Sequence, residues 1–228
     1  MTSMNKIQTD SDRLATISTD GWDHNRHYHP FLLRHAPAHC ERALDIGCGT
    51  GAFSRSLAHR SRQVLALDLS PQMIRLARER SMDISNIEYQ VADVMNSDLP
   101  VNQFDCVVSI ATLHHLPFEL MLEKMKRVLR PGGVLLVLDL FKAESVVDFA
   151  LSILAMPWNF TVRLWKEHRL RPPSEVRAAW AEHGRTDVYL TLSQVRQGCQ
   201  SILPDAQLKR HLLWRYSIVW TKPLAARP

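Results

Sequence analysis

Two carboxylates bracket a glycine-rich turn in this chain. Asp45-Ile46-Gly47-Cys48-Gly49-Thr50-Gly51 comes first, and Asp68 follows 19 residues after Gly49. A short apolar run, Ala43 to Ile46, enters the turn, and a helix-like segment, Phe53 to Arg60, leaves it. Glycine permits positive φ and lets a ligand touch the backbone. The helix start that follows offers unpaired N–H groups to an anion. The chemistry such a loop supports is the seating of a nucleoside-containing cofactor.

The loop alone leaves the cofactor open. Gly47-x-Gly49-x-x-Ala52 satisfies the dinucleotide fingerprint, and Asp68 lies near the ~20-residue spacing of a ribose-binding acid. A nicotinamide-dependent oxidoreductase is therefore one reading. Two features favour another. Asp45 puts a carboxylate where a dinucleotide strand is usually apolar, which suits a cationic group or a water network beside the loop. Further along stand Asp93, just after an alternating segment, and Leu129-Arg130-Pro131-Gly132-Gly133, before an apolar run.

These groups need elements to position them. Gln63 to Asp68 reads as a buried strand, and Ser70-Pro71 starts a helix, serine as cap and proline as first residue. Asn86 to Ala92 is a third strand, Phe104 to Ile110 a fourth, Glu119 to Leu129 a helix, and Val134 to Leu140 a fifth strand. Apolar strands alternating with helices predict an α/β fold with a doubly wound parallel sheet. Residues 1–20 are polar and aperiodic and read as loosely ordered; 26–35 reads as helical, with Pro30 at its start. Helices are expected near 145–168, 174–183 and 193–202. Gln207 to Thr221 alternates strongly and is either one long strand or a hairpin turning near Trp214. Trp214 and Trp220 there pack on the sheet or line a dimer interface; the oligomeric state is open.

Five segments in order, ALDIGCGTG (43–51), VLALDLS (64–70), VADV (91–94), FDCVVSIATLHHL (104–116) and RVLRPGGVLLVLDL (127–140), resemble the class I S-adenosylmethionine-dependent methyltransferases of the small-molecule type. The resemblance covers residues 43–141. It implies a seven-stranded, mostly parallel, Rossmann-like sheet with an antiparallel C-terminal strand and an inserted helical cover. It implies one domain over 1–228: a cap segment (1–42), a cofactor core (43–141), a helical acceptor region (142–203) and C-terminal strands (204–228). S-adenosylmethionine is the implied cofactor and S-adenosylhomocysteine its product. Gly47, Cys48, Gly49 and Gly51 would form the bed for its methionine part, with Asp45 at the amino end. Asp68 would accept from both ribose hydroxyls. Leu69 and Met73 would pack on adenine, while Asp93 and the Val94 N–H meet its polar edge. Ser109, Ile110 and Ala111 would flank the sulfonium, and Tyr28 and His29 the carboxylate end or the acceptor. Asp93 as a helix cap and Met73 as plain core are the competing readings.

Methyl transfer from a sulfonium is an in-line displacement that positioning can largely drive. A base is needed only where the acceptor must lose a proton. His114, His115 and His29 are the candidate bases, against a loop-shaping role that satisfies local hydrogen bonds. His24, His27 and His29 lack an acid or cysteine at metal-ligand spacing, so no metal is expected. Bulky residues at Phe149, Leu154, Met156, Trp158, Phe160 and Trp165 suit either an apolar or aromatic acceptor of modest size or the packing core of inserted helices. Arg163, Lys166, Arg169 and Arg171 suit an acidic substrate group, a lipid surface or a solvated helix face.

The composition agrees with these classes. Of 228 residues, 46% are hydrophobic and 22% charged, which excludes a disordered chain. The net charge of +5 arises in residues 142–228, which carry +6, and its spread argues against nucleic acid. Ser109-Ile110-Ala111-Thr112 also replaces the Asn/Asp-Pro-Pro-aromatic motif of base-amine methylation. Cys40, Cys48, Cys106 and Cys199 have no redox or metal spacing. The apolar stretch Val146 to Trp165 contains Asp148, Pro157 and Arg163 and makes a poor membrane span. With a polar N-terminus these features point to a reduced, cytoplasmic enzyme acting on a small molecule, with a non-catalytic S-adenosylmethionine-binding protein as the alternative outside enzymes.

Overall fold

The apolar runs become the strands of one sheet, as a computed structural model of the chain describes for residues 3–17, 25–144 and 188–224. Seven strands stand in the order β3-β2-β1-β4-β5-β7-β6. They are β1 (Cys40–Ile46), β2 (Ser61–Asp68), β3 (Ile87–Val91), β4 (Phe104–Ile110), β5 (Leu129–Leu140), β6 (Gln207–Arg210) and β7 (Arg215–Thr221). The pairs β1–β2, β2–β3, β1–β4 and β4–β5 are parallel, and β7 runs antiparallel to both β5 and β6. The expected doubly wound sheet with an antiparallel C-terminal strand is the one found.

Both faces of the central strands are covered, which is why β4 and β5 carry apolar side chains on both sides. Val107, Leu135 and Val137 join Met121, Leu122 and Met125 of one helix, α5 (Phe118–Val128), and Val195 and Cys199 of another, α6 (Leu192–Ile202). Cys106, Val108, Leu136 and Leu138 face the other way, toward Leu32 of α2 (His29–His35) and Phe53 and Leu57 of α3 (Ala52–Ala58). Helix α4 (Pro71–Glu79) sits beside β2, capped as expected by Ser70, whose Oγ accepts from the Met73 N–H at 3.0 Å. Threonine 191 and Gln194 form a capping box on α6.

Two expectations change, and one open choice is decided. Residues Ser3–Ile17 form a helix, α1, rather than a loose tail, because it packs on α4. Asp12 Oδ1 accepts from the hydroxyl of the α4 cap, Ser70, and from Gln72 N–H. The Arg130-Pro131-Gly132-Gly133 turn is absorbed into β5, where Leu129 pairs with Phe104 and the register shifts before Cys106. Of the two readings of Gln207 to Thr221, the structure has the hairpin, β6 to β7, with Leu213 and Trp214 at positive φ. Trp220 packs in the core and donates from Nε1 to Pro204 O at 2.8 Å. All four cysteines are buried free thiols. No described helix is long and apolar enough to cross a membrane. The expected helices near 145–168 and 174–183 lie outside the described residues.

Candidate active site

The chain order of the strands reverses between β1 and β4, and ligands bind parallel sheets at the carboxyl ends of the strands beside such a reversal. A cleft of about 550 Å³ opens there. At the end of β1, Asp45 is 2% exposed and accepts from Ser54 Oγ of α3 at 2.6 Å. Burial pushes its carboxyl up to about 7; the Ser54 bond offsets part of this, and the Asp68 charge adds to it.

The glycine loop then hangs on β2: the N–H groups of Gly47 and Cys48 donate to Leu67 O at 2.8 and 2.9 Å. Gly47, at φ +72, passes so close to the loop after β4 that an added Cβ would lie 2.0 Å from Thr112 Oγ1. At Gly49, by contrast, an added Cβ would meet nothing within 4 Å. Asp68 closes β2 against this loop. Its Oδ2 accepts from the Gly49 N–H at 2.8 Å and its Oδ1 from the Ser70 N–H at 2.9 Å. Burial raises the Asp68 carboxyl above its ordinary value; the two N–H donors and His115 hold it down, and Asp12 raises it.

Most of the residues singled out from sequence line this one cleft: Asp45, Gly47, Cys48, Gly49, Asp68, Leu69, Met73, Asp93, Val94, Ile110 and Ala111, with His29, His114 and His115. Asp93 also serves the local turn, accepting from Met95 N–H at 2.9 Å and from the Asn96 side chain at 2.7 Å. Three residues are not on the wall. Tyr28 donates its hydroxyl to Leu212 O at 2.8 Å and packs its ring on His211, tying the N-terminal segment to the β6–β7 hairpin. Ser109 is buried, its Oγ donating to Ile46 O. Gly51 caps α3 at φ +75 with Tyr89 filling the space on its Cα.

Other wall residues carried no contiguous motif. Ile7, Ser11 and Leu14 of α1 roof the cleft, and Asn25, Arg26, Tyr189, Trp214 and Arg215 reach it from the two ends of the chain. Asn25 Oδ1 accepts from Arg215 Nε at 2.9 Å, which joins those ends. His114, in a 3-10 turn after β4, bonds to Asp139 of β5 through both its main chain and its ring. The bulky and basic residues expected to cover the acceptor, Phe149 to Arg171, lie outside the described residues, as does His24. Among the described residues, no group of three His, Cys, Asp or Glu side chains is placed to hold a metal.

The roof gives one prediction. With Asp12 joined to the α4 cap, Asp12→Ala should loosen α1 and speed release of a bound ligand several-fold, at a stability cost of about 1 kcal/mol. Stopped-flow displacement checks the first and chemical denaturation the second; an unchanged release rate would mean α1 does not gate the cleft.

Residues 44–137 match the family model described as "Methyltransferase domain". An uncharacterized methyltransferase of Mycobacterium tuberculosis is 30% identical over 208 residues, covering 89% of this chain and 98% of the relative. A ubiquinone biosynthesis O-methyltransferase of Xanthomonas campestris is 30% identical over 197 residues, covering 78% of this chain and 80% of that protein. Among solved structures, the N-methyltransferase NodS of Bradyrhizobium japonicum, in complex with S-adenosylhomocysteine, superposes with a TM-score of 0.63 at 18% identity, over 98% of this chain and 100% of that one. The last likeness shows the fold; the identities over most of both chains show the family. The chain thus belongs to the class I S-adenosylmethionine-dependent methyltransferases.

Proposed function

We propose that the cleft seats S-adenosylmethionine along Asp45, Asp68 and Asp93 and that the enzyme passes the methyl group to a small organic acceptor at oxygen, nitrogen or carbon. The observation that carries the seating is the Asp68 carboxylate, held by two backbone N–H groups at the rim of the glycine loop. A carboxylate so placed can accept from both hydroxyls of a ribose. The residues fit the rest of the molecule. The open face at Gly49 leaves room for the methionine part on the backbone. Asp45 supplies a negative charge for an ammonium and Arg26 a positive one for a carboxylate at the same cleft. Leu69 and Met73 offer apolar surface to a purine, and Asp93 and Val94 its polar edge. When bound, the cofactor supplies an electrophilic methyl group on a sulfonium. The chain's part is to aim it, exclude water under α1 and align the acceptor near Ile110 and Ala111.

The test is calorimetric titration with S-adenosylhomocysteine, followed by transfer of labelled methyl to candidate acceptors. Saturable one-to-one binding and labelled small-molecule product are expected. Binding without transfer to any acceptor would favour a non-catalytic cofactor-binding role.

Asp45 makes the binding pH-dependent. Its carboxyl stands at about 7 in the ligand-free fold against an ordinary 3.8, so it favours the native state at low pH and that stability is lost as pH rises through 7. An ammonium ligand favours the ionised form. Below pH 7 it must displace a proton, and affinity should fall by up to about tenfold per pH unit. Titrations at pH 6 and 8, in buffers of different ionisation enthalpy, should show proton release at pH 6 and little at pH 8, with Asp45→Asn abolishing the difference. Affinity flat across this range would place the ammonium elsewhere.

A further inference from the structure

The hydrogen bonds of His114 go beyond what its turn requires. Its backbone N–H donates to Asp139 Oδ2 at 3.0 Å, which already ties the loop after β4 to the end of β5. Its ring makes a second bond to the same carboxylate, Nδ1 to Oδ1 at 2.6 Å. Leu140 N–H donates to Oδ1 as well, at 2.7 Å. The two side chains are 5% and 1% exposed. A buried carboxylate that receives two main-chain N–H groups is an acceptor, so the proton of the ring pair sits on Nδ1 and the lone pair on Nε2. Nε2 lies on the side of the ring away from Asp139, in a residue that lines the cleft with Ala111, Thr112 and Tyr189. Among the described residues, the titratable groups around the ring include Asp139 from β5, His115 at 4.0 Å from its own turn and Tyr189 at 5.2 Å from the segment before α6. Arg215 stands beside Leu140 in the β5–β7 register.

We infer that His114 is the proton acceptor for the methyl acceptor, that Asp139 is the positioning residue that sets its tautomer, and that the substrate carries a proton on its accepting atom, a phenol or enol hydroxyl being the class the experiment sets first. The inference rests on the cofactor reading above. A hydroxyl oxygen is a weak nucleophile until its proton leaves; a thioether or tertiary amine has none to lose, and a primary amine, whose ammonium must also shed one, is set against the hydroxyl in the experiment below. In the transfer, the bond from methyl carbon to sulfonium sulfur breaks and the sulfur keeps the electron pair. The acceptor oxygen bonds to the methyl carbon, and its proton passes to His114 Nε2. Asp139 balances the imidazolium until that proton is released to water. A dyad of this kind acts through orientation and charge, as an Asp does behind a catalytic histidine elsewhere.

The experiment uses the full-length protein, labelled S-adenosylmethionine, and a panel of catechol, 4-hydroxybenzoate and phenol beside benzylamine and putrescine. S-adenosylhomocysteine affinity is measured for every variant. The expected result is methylation of a phenol and not of the amines. On that substrate, His114→Gln and Asp139→Asn should lower kcat about a hundredfold or more, with acceptor KM and S-adenosylhomocysteine affinity within twofold of wild type. The acidic limb of the kcat–pH profile should vanish in His114→Gln. Nitrogen-15 spectra of the S-adenosylhomocysteine complex at pH 8 should show His114 protonated at Nδ1, and Asp139→Asn should change that tautomer. Any of three results would overturn the inference: methylation of amines only, or of nothing in the panel; variants within threefold of wild-type kcat; or His114 protonated at Nε2 in the wild type. Loss of S-adenosylhomocysteine binding in the wild type is the separate signature of a failed cofactor reading. Asp139→Asn is buried, so His114→Gln keeps the test intact if that variant does not fold.

Discussion

Asp68→Ala is expected to weaken S-adenosylhomocysteine binding more than a hundredfold and to leave the protein folded. The lost partners are two ribose hydroxyls on one charged acceptor. At about 1.5 kcal/mol or more each, they amount to about 3 kcal/mol, or over two decades in affinity. The substitution also frees the Gly49 and Ser70 N–H groups that the carboxylate holds. Gly49 lies at the wall of an open cleft, where water can meet its N–H, and Ser70, although buried, still caps α4 through its hydroxyl, so the helix keeps its anchor. Burial disfavours the Asp68 charge in the ligand-free state, and its removal relieves that cost. Titration beside a thermal melt separates the two effects. Affinity within tenfold of wild type in a folded variant would remove Asp68 from the cofactor site.

Gly47→Ala should unfold or nearly unfold the protein. The residue sits at φ +72, where an L side chain costs roughly 1–2 kcal/mol. Its Cβ would also stand 2.0 Å from Thr112 Oγ1 and 2.5 Å from Thr112 Cγ2. Overpacking of this kind adds about 1–3 kcal/mol, so the total of about 2–5 kcal/mol rivals the whole stability of many domains. Thr112→Gly in the same chain should recover the overlap part and leave the backbone part. Gly49→Ala, at φ +51 but with open space around it, should carry only the backbone part, stay folded and lose cofactor affinity. Denaturant titration of the three variants reads the difference. Equal stability of Gly47→Ala and wild type would mean the turn is not held as described.

The contiguous parts of this protein were legible before any coordinates. Buried strands announce themselves as apolar runs, and β1, β2, β4 and β5 lie where those runs are, while β3 shows as the alternation of Ile87, Tyr89 and Val91. The glycine loop, Asp68 and Asp93 share short motifs, so their common cleft followed from the resemblance. What stayed hidden depends on distant partners. The polar helix α1 exists against α4, and its pattern alone shows no core. The hairpin was undecided because residues 212–220 keep one parity through a turn made by Leu213 and Trp214 at positive φ, which nothing in their side chains signals. Tyr28 was placed at the cofactor by its neighbourhood, yet its hydroxyl serves Leu212, 184 positions away. His114 was visible as a candidate base, but Asp139, 25 residues on, looked like one more residue of an apolar strand. Asn25, Arg26, Trp214 and Arg215 meet only because both chain ends fold over the same strand tips.

The central claim is that the cleft beside the glycine loop holds S-adenosylmethionine rather than a nicotinamide dinucleotide. Titration of the ligand-free wild type with S-adenosylhomocysteine and, separately, with NADH tests it most directly. One-to-one binding of S-adenosylhomocysteine with no saturable heat from NADH is the expected result. Tight binding of NADH, or no binding of S-adenosylhomocysteine by folded protein, would contradict it.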